Sequence, residues 1–197
     1  MERLIPATGA EELFAILRNH AEGFSGCEFK RGSVGSICMH AGGLIGDHTT
    51  GSLVAVLRKD KPITLWSTGS STPCISAFKP VFWNSTAAPL FDAPEPSLDY
   101  WHKREHVHRA VIAGKIDAAA LRSRLRDLEN EWLLCESKLM GENLPDAAEL
   151  SALSKSANEQ EQAVIDELYV QDWHDIRVRN RYTRYWSKKN AQLSKKR

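Results

Sequence analysis

Ser52-Leu53-Val54-Ala55-Val56-Leu57-Arg58, followed after Lys59-Asp60-Lys61-Pro62 by Ile63-Thr64-Leu65-Trp66-Ser67-Thr68-Gly69, decides how the first half of this chain is read. The first run is apolar without a break, which predicts a strand buried on both faces. Lys59 to Pro62 has the composition of a turn. In the second run Ile63 and Leu65 face one way, while Thr64, Trp66 and Thr68 face the other. So short a link makes the two strands antiparallel neighbours. Upstream, Ser36-Ile37-Cys38-Met39-His40 predicts another strand, ended by Gly42-Gly43. Downstream, residues 75–83 predict a fourth extended piece, interrupted at Pro80. A short amphipathic helix over residues 10–20, with Leu13, Ile16 and Leu17 on one face, precedes them all.

Past Ala93-Pro94-Glu95-Pro96-Ser97 the chain changes character. Residues 1–92 are rich in Gly, Ser, Thr and β-branched side chains; residues 98–197 are rich in Ala, Leu, Glu, Arg and Lys. The two prolines fix φ and remove donors, so they predict a boundary, with Ser97 as the N-cap of a helix over residues 98–113 that Gly114 ends. Leu121, Leu125, Leu128, Trp132, Cys135 and Leu139 form a narrow heptad seam. After Gly141 and Pro145 a second pattern runs through Leu150, Leu153, Ala157, Val164 and Leu168 and onward. The pair predicts an antiparallel helical hairpin, its seam turned inward or, alternatively, used for dimerisation. The fold class is therefore α+β: an antiparallel meander followed by a long helical hairpin. Such a sheet needs cover on both faces. Either the helical half folds back over it, or another chain supplies the missing layer.

A chain of 197 residues with 42% hydrophobic and 26% charged side chains is an ordinary globular composition. Its apolar runs are too short to span a bilayer, and its start lacks the layout of a secretory signal, so a cytoplasmic protein is expected. The four cysteines show no regular metal spacing and are expected to be reduced thiols. Neither a cofactor nor a metal is expected. With 26 basic against 25 acidic residues, net charge draws the chain to neither nucleic acid nor membrane.

Three motifs in order, Cys38-Met39-His40-Ala41-Gly42, then Thr49-Thr50-Gly51-Ser52-Leu53-Val54, then Trp66-Ser67-Thr68-Gly69-Ser70 running on to Pro73-Cys74-Ile75-Ser76-Ala77-Phe78-Lys79-Pro80-Val81, resemble the C-terminal half of secernins and C69-type dipeptidases. The resemblance covers residues 10–82. It implies part of an N-terminal nucleophile hydrolase sandwich, in which two antiparallel sheets stack between helical layers. In that family the nucleophile is a cysteine near the start of the full or processed chain, whose own α-amino group acts as base. This chain begins Met1-Glu2-Arg3 and its first cysteine is Cys27. The expectation is thus a C-terminal portion or subunit of a peptidase or amidohydrolase, inactive alone, with no catalytic residue of its own. The alternative is a non-catalytic interaction module using the helical arm to bind a partner or dimerise. The partners implied are a nucleophile-bearing N-terminal half, a second copy through the helices, and a peptide or amide substrate once complemented.

Four groups of residues are candidates for chemistry. In the loop over residues 41–51 and beside it, His40, His48, Thr49 and Thr50 read as substrate-pocket residues, with Trp66 of the third motif; the alternative is a loop whose polar groups satisfy its own backbone. Cys38 with His40, or Cys74 with His48, are drawable thiol–imidazole pairs, against which stands burial of cysteine as a small hydrophobe. His102 and His106, at i,i+4, and His108 invite a metal reading, but Lys103 and Arg104 flank them and a solvated helix face is the expectation. The tail from Arg177 to Lys189, with Lys195-Lys196-Arg197, carries no acid. It interleaves Arg with Tyr and Trp, suiting either a phosphate backbone or packing with the cations left in water.

Overall fold

The computed structural model describes residues 9–44, 46–83, 94–141 and 144–194. Ala93 and the closing Lys195-Lys196-Arg197 lie outside them. Three strands, β1 (Leu53–Val56), β2 (Ile63–Ser67) and β3 (Lys79–Trp83), form one antiparallel sheet in that order. Asp60, at φ 57°, makes the turn between β1 and β2. Register sets Val54 opposite Trp66 and Trp66 opposite Pro80, so Val54, Val56, Thr64, Trp66, Pro80 and Phe82 share an inner face. Leu53, Ala55, Ile63, Leu65, Ser67, Lys79, Val81 and Trp83 share the outer one.

Three extended segments differ from expectation. β1 is not buried on both faces: Val54 is 5% exposed and Leu53 58%, because β1 is an edge strand of a sheet covered on one side. Residues 36–40 form no strand, only the bridge Ser33↔His40. Their donors go to loops instead, Cys38 N–H to Asn19 O (3.1 Å) and Met39 N–H to Thr49 Oγ1 (2.9 Å), which turns Cys38 and His40 inward. Pro73–Ile75 is a 3-10 turn, and β3 runs through Pro80, whose missing N–H an edge strand tolerates.

Helix α1 (Ala10–Leu17) buries Phe14 most deeply, with Leu13 and Leu17 of the predicted face partly buried against the core and Ile16 exposed; Phe14 stacks on Phe78 (4.2 Å between centroids) and meets Trp66 edge-on at 5.5 Å. Helix α2 (Pro94–Ile112) starts at the prolines instead of after a Ser97 cap. First-turn N–H groups have no intrahelical acceptor, so proline costs little there. Gly114, at φ 75°, closes α2 as expected, Lys115 N–H reaching back to Ala110 O at 2.9 Å. Helix α3 (Ala118–Leu139) is capped by Asp117, and α4 (Ala147–Leu168) by an Asp146/Glu149 capping box. Trp132 Nε1 donates to Gln160 Oε1 (2.6 Å) and Arg124 pairs with Glu167 (2.7 Å), a register that makes α3 and α4 antiparallel. The helical pattern does not continue past Leu168; a separate α5 (Arg181–Ser194) follows.

The hairpin folds back over the inner sheet face. Ser154 of α4 donates to Pro80 O (2.8 Å), and Thr64 to Glu136 of α3 (2.5 Å). One hydrophobic cluster holds Phe14, Trp66 and Phe78 together with Val107, Leu121, Trp132, Leu150 and Ile165. A smaller one seats Tyr182 and Trp186 of α5 on Ala41, Ile112 and Ile176. No described helix is long and apolar enough to cross a membrane. Gly42 lets α5 approach: a Cβ there would clash with Cδ2 of the Tyr182 ring and lie 3.1 Å from Gly32 N. Gly42→Ala is therefore expected to cost about 1–3 kcal/mol by overpacking, with a changed Trp186 environment read by near-UV circular dichroism.

Candidate functional site

Among the buried polar groups of the described residues, two gather side chains from the sequence motifs. The first fastens the helices to the third motif. Glu161 of α4, fully buried, receives Lys79, Tyr100 and Arg104. Arg104 also donates to Ile75 O and Ser76 Oγ, both at 2.8 Å. Glu129 of α3 takes Arg18 and the Phe78 N–H (2.5 Å). Burial pushes Glu161 up, but Lys79 and Arg104 outweigh it and hold the carboxyl below its ordinary range. This is a buried, ion-paired brace between the helices and the third motif.

The second joins three stretches of chain. His20 follows α1, Cys38 and His40 lie in the looped segment, and Cys74 sits in the 3-10 turn. One donor atom from each falls within 4.8 Å of all the others. His40 Nε2 is 3.2 Å from His20 Nε2, 3.6 Å from Cys38 Sγ and 3.5 Å from Cys74 Sγ. Cys38, His40 and Cys74 are at most 5% exposed. The proton shared between the thiols drives Cys74 well below the ordinary thiol range, with both imidazoles helping against burial, and the same contact plus burial drives Cys38 up. Chemically the group is two cysteine sulfurs and two imidazoles turned on one point, closed to a peptide-sized substrate. A catalytic dyad needs an open side, which these sulfurs lack.

The pocket residues named from sequence are dispersed. His40 belongs to the cluster. His48 Nδ1 accepts the Ala41 N–H (3.1 Å), and its ring meets His108 (5.0 Å) and Trp186 (5.4 Å); burial, with His108 and His40 close by, pushes it down to about 2. Thr49 Oγ1 accepts from Met39 N and donates to Ile37 O (3.2 Å), satisfying the loop's own backbone. Thr50 is exposed, and Trp66 lies fully buried in the core. The pair drawn between Cys38 and His40 is brought together; Cys74 meets His40 in place of His48. His20 was not singled out, since nothing in its local sequence marks it.

The α2 histidines do not form a solvated face. His106 stacks on Trp173 (4.1 Å, 12°), and His108 lies between Phe29, His48 and Trp186. The segment after α4 and α5 itself cover them, a layer that local periodicity does not announce. Burial pushes His108 down, with Glu105 opposing. Both His108 and Glu161 are thus depressed in the folded state, so stability is complete above their unfolded values and falls as pH drops through them. For these two groups we expect the melting temperature to decline as pH drops below about 6.5, steepening under about pH 4.5, at up to about 1.4 kcal/mol per pH unit for each proton taken up on unfolding, as read by calorimetry across the acid range. No family model, no curated protein and no solved structure matches the chain.

Proposed function

We propose that this chain is one layer of a two-sheet amide hydrolase of the C69 type: it supplies a sheet, its helical cover and a wall of the substrate site, while the nucleophile comes from the opposing layer. The observation that supports this is the outer sheet face. Leu53 (58%) and Trp83 (61%) are exposed, Ile63, Leu65 and Val81 are half-buried, and Leu57 just beyond β1 is 72% exposed. A sheet whose helices cover one side normally alternates apolar with polar residues. Here the outer face is apolar too except at one end, where Ser67 and the buried Lys79 sit, and a mainly apolar pattern on both sides suits a strand set between two layers. A second antiparallel sheet stacked about 10 Å away would bury this face as it does in a sandwich. The motifs over residues 36–82 point to a secernin-like sheet as that occupant, whose leading cysteine uses its α-amino group as base. The buried state of Cys38 and Cys74 agrees with a chain that carries no nucleophile itself.

The test mixes the purified chain with the nucleophile-bearing half of a C69-type dipeptidase and follows hydrolysis of a dipeptide amide. Turnover is expected only in the mixture, and Trp83→Glu, at an exposed outer-face position, is expected to abolish it while leaving the melting temperature of the chain unchanged. Turnover by the isolated chain that disappears in Cys38→Ala or Cys74→Ala would overturn the proposal.

A further inference from the structure

We propose that His20, Cys38, His40 and Cys74 form a closed tetrahedral site for one zinc-class divalent cation, whose work is structural. The separations carry the argument. Ligands about 2.0–2.1 Å (nitrogen) and about 2.3 Å (sulfur) from a tetrahedral zinc lie about 3.3 Å apart for a nitrogen pair and about 3.6 Å apart for nitrogen and sulfur. The site has 3.2 Å between its imidazole nitrogens and 3.6 and 3.5 Å from His40 Nε2 to the two sulfurs. Two thiolates and two neutral imidazoles neutralise a divalent cation, so the filled site carries no net charge into the interior. This thiolate–imidazole donor set favours zinc over the oxygen-seeking cations.

The surroundings are those of a held metal ligand set. His20 Nδ1 faces Glu28 Oε1 at 3.4 Å, the carboxylate–histidine relation that fixes the tautomer and presents Nε2 to a cation. Glu28 is in turn 3.7 Å from Arg122, which balances its charge. Thr72 Oγ1 lies 3.4 Å from Cys74 Sγ, placed to donate to a thiolate. Phe24 and Phe29 meet the His40 ring edge-on at 5.6 and 5.2 Å and keep the site dry. Four protein ligands leave no open position, which separates a structural site from a catalytic one.

The fold shows what such a staple would do. From the end of α1 to β1 the described residues form no helix or strand, only turns and isolated bridge residues such as the pair Ser33↔His40. So long an irregular stretch in a compact domain needs a fastening. The cation ties this stretch to α1 at one end and to the 3-10 turn at the other. Its binding energy becomes folding energy.

The test uses the full chain. Protein stripped with a chelator under reducing conditions is titrated with cobalt(II) and then zinc. One cobalt per chain is expected, with the intense visible ligand-field bands of a tetrahedral thiolate site and a sulfur-to-cobalt charge-transfer band, all lost when one equivalent of zinc is added. The melting temperature is expected to rise on metal addition. Cys135→Ser, at an exposed thiol outside the site, leaves the spectrum unchanged, while Cys38→Ser and Cys74→Ser each weaken the charge-transfer band. Stripped wild-type protein that keeps its full melting temperature and binds cobalt without those bands would overturn the proposal. That reading comes from unmutated protein, so a variant that fails to fold does not obscure it, and it is independent of any hydrolase partner.

Discussion

Glu161→Ala is expected to remove about 3–5 kcal/mol of folding stability, enough to leave much of the protein unfolded at 37 °C. Glu161 is fully buried on α4 and is the carboxylate that Lys79 and Arg104 share, with Tyr100 donating to the same group. Without it two cations remain inside with no counter-charge. Lys79 has a way out, since burial already pulls its ammonium down and Glu161 opposes that. Arg104 has none, because a guanidinium does not give up its proton. Urea denaturation of Glu161→Ala beside Glu161→Gln checks this. The glutamine keeps the hydrogen bonds and loses the charge, so it is expected to fall between wild type and alanine. A loss under about 1 kcal/mol for the alanine would mean that the brace does not hold α4 to the sheet.

Trp66→Ala is expected to cost about 3–5 kcal/mol, the range for emptying a large aromatic site in a packed core. Trp66 has no exposed surface and lies against Phe14 on the inner sheet face. Trp83→Ala, on the outer face, is expected to stay within about 0.5 kcal/mol. The same residue type on the same sheet thus separates the two faces by stability alone. Equal costs at both positions would contradict the assignment of inner and outer sides.

The sheet and its meander were legible in the sequence because alternation in residues 63–68 and the turn at 59–62 are local signals. The helix end at Gly114 and the break at Gly141 and Pro145 were legible for the same reason; the Asp146 cap was not read. The seam of α3 was legible at Leu121, Leu125 and Trp132, with Leu128 and Leu139 partly buried against the core. What it missed is that Glu129 and Glu136 are buried as well, while Cys135 is exposed. Buried glutamates read as solvent-facing until Arg18, Thr64 and Arg58 are placed opposite them, and those partners are far away in sequence. The histidine–cysteine cluster failed for a related reason. Its four residues, from three segments, lie 18, 2 and 34 positions apart in succession, which no local motif describes. Only Cys38 and His40, two apart, carried a usable hint, and the strand predicted around them is a loop held by the contacts that bring them inward.

The outer sheet face is the premise of the proposed function, and hydroxyl-radical footprinting read by mass spectrometry tests it most directly. On mixing with a nucleophile-bearing C69-type layer, Leu53, Leu57 and Trp83 are expected to lose reactivity. Leu134 of α3 (63% exposed) and Val178 before α5 (48% exposed) are expected to keep theirs. Protection at Leu134 or Val178 with Leu53 and Trp83 still reactive would place the partner on the helical arm and contradict the account.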